Sequence, residues 1–116
     1  MRHKKKKLTL DRKRGPRTAM IRSLARGLIL HGAIVTTDAR ARAVRSFAER
    51  CITVGKTPSL HNRRLLIQRT HSADLAQKVI DVSKKYQDRN GGYTRLLRLE
   101  PREGDRARMI RVELVT

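Results

Sequence analysis

The stretch His31-Gly32-Ala33-Ile34-Val35-Thr36-Thr37-Asp38 decides the fold. Before it, Met20, Leu24 and Leu28 lie four apart with Ile21, Ala25 and Ile29 beside them, which is the spacing of one helical face. Arg22 and Arg26 fall together on another face. Near His31-Gly32 the spacing stops, because glycine supplies the left-handed backbone that ends a helix. The run Ala33–Thr37 is short and β-branched, so it reads as a strand. Thr37 or Asp38 can then cap a new helix through a side-chain oxygen. A chain that passes from helix to strand to helix here is neither all-α nor all-β.

Downstream, Ala41, Val44, Ala48 and Cys51, with Phe47 and Ile52, form an apolar helical stripe flanked by Arg42, Arg45 and Arg50. Glu49 lies four residues after Arg45 and offsets some of that charge. This helix should stop near Gly55-Lys56-Thr57-Pro58. Ser59 reads as the cap of a short helix from Leu60 to Thr70, with Arg63-Arg64 on its polar side and Leu65, Leu66 and Ile67 partly buried. Ser72 caps another, in which Ala73, Ala76, Val79 and Ile80 recur at three or four and which frays after Lys84-Lys85-Tyr86.

Asn90-Gly91-Gly92 breaks the helical pattern. Tyr93 to Leu99 then reads as a strand. In a second strand Ile110, Val112 and Leu114 alternate with Arg111, Glu113 and Val115. The link from Glu100 to Arg108, with Pro101, Gly104 and Asp105, suits a hairpin with an enlarged loop. A lone hairpin is marginally stable, so Ala33–Thr37 is expected to join it as a third strand. Upstream, the first helix is expected from Arg17, with Pro16 at its start where a missing N–H costs nothing. The fold class expected is α+β: one small domain over residues 17–116 with about four helices and a small mixed or antiparallel sheet, plus a basic N-terminal tail over residues 1–16.

Charge points to the partner. The first fourteen residues hold eight Lys/Arg (Arg2, Lys4, Lys5, Lys6, Lys7, Arg12, Lys13, Arg14) with His3 and a single Asp11. Only Leu8 and Leu10 are there to bury, so the tail is not expected to fold alone. The whole chain has 29 Lys+Arg against 10 Asp+Glu, a formal net charge of +19. A compact body with that charge repels itself, and a polyanion such as nucleic acid relieves the repulsion. The free protein is therefore expected to fold poorly at low salt. Arg22, Arg26, Arg40, Arg42, Arg63, Arg64 and Arg69 would be solvated in an ordinary protein; here about half are expected to meet phosphate. Gly91-Gly92 is first a turn needing positive φ, and between Arg89 and Arg95 it also lets backbone N–H groups approach a phosphate. The only aromatics, Phe47, Tyr86 and Tyr93, are too few for a single-strand stacking platform.

Other function classes find little support. His3, His31, His61 and His71 show no metal-ligand spacing, and no nucleophile or phosphate-loop motif occurs, so no metal, cofactor or catalytic residue is expected. Cys51, the single cysteine, excludes an intramolecular disulfide and reads as a small buried hydrophobe. No apolar run is long enough to span a membrane, and the N-terminus lacks the apolar region of a signal peptide, so it is read as part of the mature protein. A DNA-compacting protein stays open on composition, although no zipper, zinc-finger or helix-turn-helix pattern is present. An RNA-modifying enzyme is a third reading, with no residue set to support it.

Several segments carry a family likeness. They are the Met1-Arg2-His3 start with its basic tail, Arg17-Thr18-Ala19-Met20, the run His31–Thr37, and Ala39-Arg40-Ala41-Arg42. Further on come Cys51-Ile52-Thr53, Asn62-Arg63-Arg64, Asp88-Arg89-Asn90-Gly91-Gly92-Tyr93-Thr94-Arg95, Gly104-Asp105 and Val112-Glu113-Leu114-Val115. In order and spacing the chain resembles the bacterial large-subunit ribosomal protein seventeen family over essentially its whole length. It departs at Gly15-Pro16, where Ser-His is common in that family, and at Gly55, where alanine is often found.

The resemblance implies a non-catalytic component of the large (50S) subunit in the cytoplasm, binding large-subunit ribosomal RNA beside neighbouring large-subunit proteins near the nascent-peptide exit tunnel, with no small-molecule substrate. It also implies that the tail from Arg2 to Arg14 and the segment Arg89, Gly91, Gly92, Tyr93, Thr94 and Arg95 touch RNA. Arg17, Arg22, Arg63 and Arg64 join the expected contacts on the helices.

Overall fold

A computed structural model describes residues 9–115. The order among them is α1 (Arg14–His31), β1 (Ala33–Thr37), α2 (Asp38–Gly55), α3 (Leu60–Thr70), α4 (Ala73–Ser83), a 3₁₀ turn (Lys84–Tyr86), β2 (Thr94–Arg98) and β3 (Met109–Leu114). This is a small α+β domain with four helices and a three-stranded sheet among the described residues.

The local signals act where expected, with some shifts. Helix α1 begins at Arg14 rather than Arg17, so Pro16 is its third residue. That position still lies in the first turn, where an N–H has no intrahelical acceptor. Gly32 closes α1 at φ +81° and donates its N–H to the Leu28 carbonyl at 2.8 Å. Thr37 occupies the cap position of α2 but its hydroxyl makes no capping bond; the Asp38 carboxylate pairs instead with Arg42 at 3.2 Å. Ser59 and Ser72 cap as read, accepting from the Asn62 and Leu75 N–H groups at 3.1 and 3.2 Å. Ala73 does not join the buried stripe of α4, since it sits at the first helical position facing solvent, and Leu75 takes its place.

The sheet is wholly antiparallel, in the order β1-β3-β2. Strand β3 lies in the middle, with Val112 opposite Ile34 on one side and Leu96 on the other. Burial of Ile110 and Val112 sets the inner face, which packs on α1 and α2 with Ala25, Leu28, Ala41, Val44 and Ala48. The far end of α2 serves a second cluster, where Cys51 and Ile52 meet Leu66 of α3 and Ala76 and Val79 of α4. Phe47 packs against both clusters, so α2 is the shared wall. The chain returns to its start through the bond from the Leu114 N–H to the Gly32 carbonyl at 2.9 Å.

Candidate nucleic-acid interface

The basic surface begins where α1 begins. Arg12, Lys13 and Arg14 are exposed and Arg17 half-buried around a helix start that has no acidic residue in its first turn and no side-chain cap. The positive end of the helix dipole adds to those charges, a combination that favours an anion. Residues 1–8, which include Arg2, His3 and Lys4–Lys7, lie outside the described residues.

A second concentration forms where three helices and a turn converge. Arg22 on α1 reaches across to α3 and donates from Nε to the Arg69 carbonyl at 2.9 Å. Arg69, Arg50 and Thr53 then line a shallow open cavity of about 460 Å³, closed on one side by Gly91 and Tyr93. Arg42 and Arg45 continue the exposed side of α2, each paired within its own helix, Arg42 with Asp38 and Arg45 with Glu49 at 3.7 Å. Arg69 also influences Cys51: burial pushes the thiol up to about 11, and the Arg69 charge pulls the other way.

The segment 89–95 does not present a single surface. Arg89, Gly91 and Gly92 are exposed, and only Gly92 of the glycine pair takes positive φ, at +64°. Tyr93 and Thr94 point inward instead: Tyr93 is 1% exposed, and Thr94 donates to a Glu49 carboxylate oxygen at 2.8 Å. Arg95 lies on the outer face of the sheet in an ion pair with Glu113. The pair of Arg63 and Arg64 divides in the same way. Arg63 is half-buried and donates to the Gln77 side chain on α4, while Arg64 is exposed.

Lys56 organises the turn, and sequence reading saw it only as part of a helix stop. Its ammonium donates to the Arg89 carbonyl and to the Tyr93 hydroxyl at 3.3 Å, 5.3 Å from the centre of the Tyr93 ring. Arg89 in turn donates to the Gly92 carbonyl at 3.2 Å. Tyr93 stacks obliquely on Tyr86, whose hydroxyl donates to the Val115 carbonyl at 2.5 Å. Burial raises the Tyr86 phenol, against the Arg89 charge. The turn is thus a braced loop held from α2. The one signal in the sequence was the nearness of Lys56 to the end of α2, and that does not reveal a partner 33 residues away.

Carboxylates leave most of this charge unanswered. Among the described residues, Arg42, Arg45, Lys84, Arg95, Arg102 and Arg111 form ion pairs. The same residues contain no group of three or more His, Cys, Asp or Glu side chains that could hold a metal, and no helix long and apolar enough to cross a membrane. The arrangement offers dispersed guanidinium and ammonium groups with exposed backbone at a glycine turn, which suits phosphate contacts more than base-edge reading.

A family model described as "Ribosomal protein L17" matches residues 20–115. The chain is 43% identical over 116 residues to the "Large ribosomal subunit protein bL17" of Dictyoglomus thermophilum, covering 99% of this chain and all of that one. It is 40% identical over 107 residues to the protein of the same name from Carboxydothermus hydrogenoformans (91% and 96% covered). Against that of Gemmatimonas aurantiaca it is 42% identical over 116 residues (99% and 98%).

Proposed function

The chain belongs to the ribosomal protein L17 family, and from that premise we propose that it binds and stabilises large-subunit ribosomal RNA near the nascent-peptide exit tunnel, beside neighbouring proteins of the large subunit. Its relatives are large-subunit proteins by name, and its role is that of a structural constituent of the ribosome, a component and not an enzyme. The observation that carries RNA binding is the surplus of cations. Ten carboxylates face 29 Lys and Arg residues; Arg50 and Arg69, with Glu49, line the cavity beside the exposed Gly91, and Arg22 reaches across to the Arg69 carbonyl.

In this reading the braced turn 89–92 and the cavity beside it meet the phosphate backbone of folded RNA. The exposed residues Arg12, Lys13 and Arg14 carry the contact into the basic tail, which threads between RNA helices. Tyr93 and Thr94 act from beneath, holding the turn's shape. Recognition is of RNA shape and backbone, with the tail ordering as it binds. The protein works on the cytoplasmic ribosome during translation and subunit assembly.

Salt dependence tests the electrostatics. Each lost phosphate contact lowers the slope of log K against log salt by roughly 0.7–0.9. Replacing Lys4–Lys7 by Ala should flatten that slope by about 3 if all four meet phosphate. An unchanged slope removes the tail from the interface. Fractionation of cell lysate with a high-salt wash tests the location. Stoichiometric retention in the large subunit supports the reading, whereas recovery with the nucleoid overturns it in favour of DNA binding.

A further inference from the structure

The outer face of the sheet differs from the rest of this basic molecule. Read from the register, it carries the cross-strand rows Ala33–Glu113–Arg95 and Val35–Arg111–Leu97, followed by Thr37 opposite Met109. Leu99 continues the alternation beyond β2, and its N–H donates to the Met109 carbonyl at 2.9 Å. Val35, Leu97 and Leu99 are 52%, 38% and 42% exposed, three of the five exposed large hydrophobics among the described residues. The helices pack on the opposite face.

Charge on this face is partly paired within it, and Arg111 and Glu113 share a cavity at its edge with Lys78, Asp81 and Lys85. Glu113 sits on the central strand and pairs with Arg95 from β2 and with Arg111 at 3.1 Å on its own strand. Both guanidiniums hold its carboxyl below the usual carboxylate range, Arg95 most strongly. The three charges leave about +1 on this face of a +19 chain. By the register the middle of the face is Arg111, with Val35 and Leu97 on either side, and Glu113 lies one row away between Ala33 and Arg95. A phosphate backbone laid across the sheet would meet apolar side chains beside Arg111 and a carboxylate already paired with it.

We propose that this outer sheet face is the docking surface for a neighbouring protein of the large subunit, one that presents an apolar segment with a carboxylate to answer Arg95 and Arg111. The inference rests on the ribosomal reading above. Area argues against a second copy of this chain as occupant. Three strands paired over five residues each cover roughly 17 by 14 Å, or about 240 Å². A stable free-standing interface needs about 800 Å² on each partner. A patch of this size serves a partner that shared RNA already holds nearby, so that the second contact forms at high effective concentration.

The test uses large subunits assembled with the full chain, carrying the photo-crosslinker p-benzoylphenylalanine at position 35 or, separately, at position 97. Both positions should cross-link to one and the same subunit protein. Adding Leu97→Glu to the position-35 variant should lower that adduct roughly ten-fold, as loss of an interface anchor does. The chain should still co-sediment with the particle, because its RNA contacts lie elsewhere. Val35→Lys in the position-97 variant gives the reciprocal check. Cross-links to RNA, adducts to two unrelated proteins, an adduct of twice the chain's own mass, or no adduct at all would each overturn the proposal. Absence of the unsubstituted chain from the particle would instead overturn the ribosomal reading, and this proposal with it.

Discussion

Replacing Gly55 by alanine should destabilise the protein, although alanine is the better helix former and is often found here in the family the sequence resembles. Gly55 is the last residue of α2 and is buried against α4. A Cβ built at this position would stand 2.5 Å from the Ser83 Oγ, and 3.3 Å from both the Ser83 Cβ and the Val79 Cγ1. The hydroxyl cannot swing away freely, because its single O–H is shared between the Val79 and Ile52 carbonyls, 2.7 and 3.0 Å away. Overpacking of this kind costs about 1–3 kcal/mol. Helix propensity returns up to roughly 1 kcal/mol on replacing glycine by alanine. The expected net loss is about 1–2 kcal/mol, or some 5–9 °C in melting temperature for a domain of this size.

Ser83→Ala supplies the control. It removes the oxygen while leaving the Ile52 carbonyl bonded to the Lys56 N–H at 3.1 Å. In that background Gly55→Ala should cost about 0.5 kcal/mol or less, a coupling of about 1 kcal/mol between the sites. Thermal and urea melts of all four proteins, followed by far-UV circular dichroism at moderate salt to damp self-repulsion, measure the cycle. Equal costs of Gly55→Ala in the two backgrounds would refute the packing argument. So would a rise in melting temperature with Ser83 in place.

Other expectations follow from single features. Lys56→Met should loosen the turn at residues 89–92 and weaken RNA binding by more than loss of one phosphate contact explains, seen as a drop in affinity exceeding the change in salt slope; equal changes would mean that Lys56 acts only as a charge. His71 closes α3 at φ +56°, so His71→Gly should stabilise the fold by about 0.5–1 kcal/mol in a urea melt. Cys51 should resist a thiol reagent at pH 8 and react quickly once urea unfolds the chain. Its folded pKa near 11 lies above the ordinary thiol value of 9.0, so its contribution to stability is complete below pH 9 and is lost as pH rises toward 11. Asp105 is held down to about 2, first by the Arg102 side chain and then by the Ala107 N–H. Its small contribution is present above pH 3.8 and fades as pH falls toward 2; an NMR titration should show that midpoint, and Arg102→Ala should raise it.

Local grammar determined much of this protein. Gly32, Ser59 and Ser72 mark helix boundaries by chemistry that acts within a few residues, and the stripes of α2 and the alternation of β3 follow from helix and strand periods. Net charge is a property of composition, so a polyanionic partner was legible before any fold. Tertiary structure alone decided the rest. It put β3 between β1 and β2, turned Tyr93 and Thr94 beneath the loop they follow, and drew Arg63 inward to Gln77 while Arg64 stayed outside. It also joined Arg22 to Arg69 and Lys56 to the glycine turn, and set Glu113 between Arg95 and Arg111. Except for the bond between Arg111 and Glu113, two residues apart, these contacts join positions distant in sequence. Hydrophobic periodicity says which face of an element is buried, but not which other element covers it. That choice belongs to packing of the whole chain, and it separates the charges left free at the surface of the described residues from those that hold the fold.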